Sequence, residues 1–176
     1  MDAVHFHLIF THFPIVGTLI GIFIFGYGLY AKNESIQKVA LVLFIAMAAL
    51  TIPVYLSGEQ AEETVEHLPG VNEHIIENHE ELAEKAIWLM GFLGFLALIS
   101  LIAISKRLAF ARKLGIITFI MSLITFGVFA SLGNLGGQIR HTEIRNSNIK
   151  NGEGDFNLFD KKTEKEEHEE HEDDDD

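Results

Sequence analysis

Nine histidines stand in this chain (His5, His7, His12, His67, His74, His79, His141, His168 and His171), and it has no cysteine. Imidazole ligates haem iron, copper and zinc. Without thiols there are no disulfides, no thiolate zinc sites, no cysteine-held iron–sulfur clusters and no haem attached through C-x-x-C-H. The chemistry open to this set of side chains is a non-covalent haem or metal site. No paired acid–base or nucleophile arrangement points to hydrolysis.

The histidines differ in what their surroundings suggest. His12 lies inside the first apolar run of the chain, where an unpaired ionisable side chain is costly. His79 lies on the side of a helical pattern that continues into Leu82, Ala83 and Ala86, and His141 follows a glycine-rich stretch. These three carry the ligand expectation. His5 and His7 equally suit interfacial positions with no ligand role. His67 and His74 sit in an acidic stretch that suits surface residues, and His168 and His171 belong to an acidic tail that would at most collect divalent cations. His7 and His12 are five residues apart, ~140° around a helix, so they cannot serve one small ion from one helix face.

Two imidazoles from different helices can hold a b-type haem without a covalent link. His12 and His79 are the first pair expected, with His7 and His141 as a second pair or in support. Copper or zinc at the same histidines is the alternative. A third possibility is a subunit of a larger membrane complex whose histidines bind nothing. Gly17, Gly21, Gly133, Gly136 and Gly137 could admit a macrocycle, and Gly17 and Gly21 equally form a G-x-x-x-G helix-packing pair. The glycines after Leu132 could also end a helix.

The elements that must position these residues are apolar. Nearly continuous apolar stretches cover residues 8–30, 39–56, 86–104 and 114–132, each near the ~20 residues that cross a ~30 Å hydrocarbon core. A soluble bundle would carry a polar stripe along each helix, and these stretches have none. The expected fold is all-α: a four-transmembrane-helix bundle over residues 1–145 in a lipid bilayer, with a disordered acidic tail over 146–176. The first stretch lacks a basic flank and a small-residue cleavage pattern, which fits a retained helix rather than a signal peptide. Ser57-Gly58 is expected to close the second span, and Pro69-Gly70 to break the acidic segment after it. A helix beginning near Val71 is then expected to stand outside the membrane and run into the third span.

Charge sets the orientation. The connection at 31–37 carries Lys32, with Lys38 beside it, and the connection at 105–113 carries Lys106, Arg107, Arg112 and Lys113. Lys and Arg in short loops are retained in the cytoplasm, so both termini and every histidine are expected on the outer, periplasmic side. The formal net charge is -12, which argues against nucleic acid as a partner.

Several short stretches carry a family resemblance. They are His7-Leu8-Ile9-Phe10-Thr11-His12-Phe13-Pro14-Ile15, Gly58 to Ala61 after the second span, His79 before the third, and Gly136-Gly137-Gln138-Ile139-Arg140-His141. They resemble the motifs of small bacterial four-helix membrane proteins catalogued as domain of unknown function 2231. That family opens on a pattern close to H-P-x-x-x-H-F-P-I, with proline where this chain has Leu8, and often has tyrosine where His141 stands. The resemblance covers about residues 5 to 145 and leaves the tail unmatched. It implies a bacterial inner-membrane protein. Relatives joined to cytochrome or Rieske-type domains would suggest a redox role with redox partner proteins, which the resemblance implies only loosely.

Overall fold

The computed structural model describes residues 3–66 and 71–140. Four helices account for almost all of them: α1 (Ala3–Tyr30), α2 (Glu34–Val65), α3 (Glu73–Ser105) and α4 (Ala111–Arg140). They form one compact unit that ends at Ile139. The 146–176 tail expected from the sequence, together with His67, His141, His168 and His171, lies outside the described residues.

All four helices are long and apolar enough to cross a membrane. At 28 to 33 residues each measures more than ~40 Å at 1.5 Å per residue, which exceeds a ~30 Å hydrocarbon core. Their ends therefore extend past the apolar zone. α2 does not stop at Ser57-Gly58, as its sequence suggested, but continues to Val65. The residues that follow, Glu59, Gln60, Ala61, Glu62 and Glu63, are good helix formers, and one glycine does not outweigh them. α4 likewise runs through Gly133, Gly136 and Gly137 to Arg140, so those glycines do not end the helix.

Two turns share one design. The N–H of Asn33 bonds the Gly28 carbonyl (2.9 Å) and that of Lys32 bonds Leu29 (3.3 Å). The Leu108 N–H bonds Ala103 (2.9 Å) and that of Arg107 bonds Ile104 (3.1 Å). Each is a Schellman closure, with Lys32 and Arg107 at φ 53° where glycine is usual. A cation there faces the negative end of the helix it closes. Asn33 and Asn72 then cap α2 and α3 by accepting backbone N–H bonds, as Asn does at an N-cap.

The helices run up, down, up, down, with α1 between α2 and α4. A Cβ at Gly21 would lie 2.5 Å from Phe44, and one at Gly94 would lie 2.6 Å from Ala48. Gly17 meets Met47 in the same way, so Gly17 and Gly21 serve α1–α2 packing. Gly26 approaches Phe119, and Gly133 approaches Ile15, which joins α1 to α4. Ser100 and Thr118 join α3 to α4. The core holds Phe25, Leu41, Phe44, Met90 and Leu93, with Phe25 and Phe44 edge to face at 5.9 Å.

Exposure is inverted relative to a soluble bundle. Large apolar side chains such as Phe23 (70% exposed) and Trp88 (76%) cover the outside, while the buried polar residues are threonines and serines. No charged side chain is buried among the described residues. Apolar groups outward and hydroxyls inward suit a lipid solvent.

Candidate metal centre at one end of the bundle

Position along each helix decides which histidines meet. On α1 the buried positions are Pro14, Thr18, Gly21, Ile22, Phe25 and Gly28, and half-buried His7 lies one heptad before Pro14. His12 lies off this stripe and is exposed beside exposed Phe13 and Val16. On α3 the buried residues Ile76, Ala86, Met90 and Leu93 form the inward stripe, and His79 falls on it.

His7 reaches α2. Its Nδ1 lies 3.1 Å from the Val54 carbonyl and 3.1 Å from the Ser57 hydroxyl. The Ser57 hydroxyl itself donates to the Val54 carbonyl at 2.8 Å, so it offers the histidine a lone pair. Both neighbours being acceptors, Nδ1 carries the proton and Nε2 is left with its lone pair. This is the usual way a protein orients a metal-binding histidine. Gly58 lies beside the ring, where an added Cβ would stand 3.5 Å from Cε1.

His79 comes from the opposite side of the bundle. Its Nδ1 is buried and has no hydrogen-bond partner in the protein. The Leu132 carbonyl of α4 lies near the ring, but outside hydrogen-bonding geometry to that nitrogen. Gly136 faces the ring, with an added Cβ 3.2 Å from Cε1. His7 and His79 are close enough to repel each other if both were protonated. One end of the bundle thus brings together His7 of α1, Ser57 and Gly58 of α2, His79 of α3 and Gly136 of α4.

The expected partners His12 and His79 are placed differently: His12 is exposed, while His79 lies on the inward stripe of α3. His12 points out of the bundle, its Nδ1 donating to the Leu8 carbonyl of its own helix at 2.6 Å, and it is His7 that lies within electrostatic reach of His79. His5 and His74 are exposed, the latter 3.8 Å from Glu77. Sequence reasoning treated Ser57 only as a helix end and missed its contact with His7. Its place one residue before a glycine, at the outer limit of an apolar span, was the available signal.

The rim of this end is acidic. Glu62 of α2 lies within electrostatic reach of Glu59, Glu66 and, across the helix interface, Glu80 of α3. Such a rim favours approach of cations. A separate groove of about 280 Å³ lies between α2 and α3, lined by Ala48, Ala49, Gly91, Gly94 and larger apolar residues. Its lining includes no histidine and no polar side chain to orient a ligand. No group of three or more His, Asp or Glu able to hold a metal ion occurs among the described residues. No family model matches this chain, and no curated protein or solved structure does.

Proposed function

We propose that the chain is a membrane protein that binds haem b at one end of its bundle through His7 and His79 and serves electron transfer at the periplasmic face. The observation that carries this reading is the placement of two inward-facing imidazoles, His7 of α1 and His79 of α3, within electrostatic reach of each other at one end of the bundle. One has Nδ1 engaged and Nε2 open, and the other has a buried nitrogen without a partner. A porphyrin supplies four nitrogens to iron, so two imidazoles complete the set. Zinc asks for three or four protein donors, more than the described residues assemble.

Bound there, haem b would supply one-electron chemistry. The chain's own residues would hold the iron and fix the orientation of His7 through Val54 and Ser57. Gly58 and Gly136 keep side chains from the flanks of the two rings. The same reading takes the bacterial family it resembles as its own, and puts both termini outside the inner membrane. Redox partners would then meet the acidic rim.

One observation favours a second reading. A Cβ at Gly136 would already lie 3.2 Å from the His79 ring, and one at Gly58 would touch the His7 ring at 3.5 Å, and a single copper ion needs less room between two imidazoles than a macrocycle does. Purified protein in detergent, from cells supplied with haem, separates the two by absorption spectroscopy and elemental analysis. The expected result is a bis-imidazole haem spectrum that is lost in His7→Ala and in His79→Ala and kept in His12→Ala. Colourless, folded protein with stoichiometric copper would establish the second reading. Folded protein with neither metal would overturn both and leave a non-catalytic subunit of a larger complex.

A further inference from the structure

We infer that Thr18 and Thr125 hold a buried water molecule inside the membrane bundle. The buried hydroxyl side chains among the described residues are Thr18, Thr51, Ser100, Thr118, Ser122 and Thr125. Most are satisfied within the protein. Thr51 donates to the Met47 carbonyl (2.8 Å), Thr118 to Leu114 (2.9 Å) and Ser122 to Phe119 (2.7 Å), while Ser100 bonds Thr118 (2.8 Å). A carbonyl one turn back is the habitual partner of a helical hydroxyl. Thr18 and Thr125 do not use it. Both are fully buried, and neither Oγ1 has a hydrogen-bond partner in the protein.

The two hydroxyls belong to one region. Thr18 lies on the inward stripe of α1, between Pro14 and Ile22, and Thr125 on that of α4, between Ser122 and Phe129. The contacts of Gly133 with Ile15 and of Gly26 with Phe119 set these helices antiparallel. That register separates the two threonines by roughly one turn, ~5 Å along the axis. A molecule between them must hydrogen-bond to both, because an apolar occupant would leave the hydroxyls unpaired. It must also be small, since Phe25, Phe44 and Leu93 fill the same interior. Water meets both demands, being donor and acceptor at once. It would extend the Ser100–Thr118 pair and Ser122 into a file of hydrogen-bonding groups inside an apolar bundle. The inference does not depend on the occupant of the histidine pair.

The protein in lipid vesicles allows a direct test by water-edited solid-state NMR. Magnetisation from water should reach the Thr18 and Thr125 side chains well before it reaches Phe25 and Phe44. Build-up at the threonines as slow as at the phenylalanines would overturn the proposal. Thermal unfolding of variants supplies a second test. Thr18→Val and Thr125→Val should each lower Tm by about 2–4 °C, and the double variant no further, because both remove the same molecule. Thr18→Ser should keep the wild-type value. Additive losses, or a rise in Tm on removing either hydroxyl, would show that the threonines hold nothing in common.

Discussion

His7 and His12 share one helix and one chemistry, yet only His7 turns into the bundle. The difference is angular. Five residues rotate a side chain by ~140°, and the buried positions Pro14, Thr18, Gly21 and Phe25 extrapolate back to residue 7, not to residue 12. Ser57 completes the arrangement. It is one of two acceptors for the Nδ1 proton of His7 and is itself held by the Val54 carbonyl. Ser57→Ala should leave the fold intact, since Val54 still accepts from the ring, and should weaken binding of haem or copper by about tenfold, at the low end of second-shell effects on ligation. Titration of the purified variant measures this. Unchanged affinity would mean that Val54 alone orients the ring.

At the scale of elements, contact distances between helices are set where side chains are smallest. Gly94 faces Ala48 so closely that an added Cβ would lie 2.6 Å from it, whereas Gly91, on the same helix, has nothing within 4 Å of its own added Cβ. The two positions make a matched pair. Gly94→Ala should push α2 from α3 and cost about 1–3 kcal/mol, as overpacking does. Gly91→Ala should be neutral or stabilise by up to about 1 kcal/mol through helix propensity. Thermal unfolding in one detergent compares them, and equal effects would contradict the packing described. The extent of α2 illustrates what sequence punctuation conveys. Ser57-Gly58 looked like a stop because glycine and serine favour turns, but the residues beyond it are strong helix formers and carry the helix another two turns to Val65.

For the whole molecule, the outside is apolar and the inside holds the hydroxyls, the reverse of a soluble bundle. The proposed orientation rests on charge. Lys32, Lys38, Lys106, Arg107, Arg112 and Lys113 all lie at one end of the helices, with only Glu34 opposing them, and the other acidic residues of α2 and α3 lie at the opposite end. On the proposed orientation, in which the positive-inside rule keeps those cations in the cytoplasm, the two histidines stand outside. A reporter active only in the periplasm should work when fused after Asn146 and be silent when inserted near Ala109. The reverse pattern would move the pair to the cytoplasm and remove the electron-transfer reading given above.

The number of helices, their approximate extents and their alternating direction were legible in the sequence. A span is a count of consecutive apolar residues, each adding 1.5 Å, and such a count needs no knowledge of neighbours. The basic turns after α1 and α3 were legible for the same reason. Which histidines turn inward was not. That depends on the rotation of each helix about its axis, and rotation is decided by packing: Gly17 against Met47, Gly21 against Phe44, Gly94 against Ala48. In a bilayer both faces of a helix are apolar, so hydrophobic pattern alone does not say which face turns inward. Only the assembled bundle turned His7 inward against Ser57, put His79 on the inward stripe of α3, and left His12 facing out.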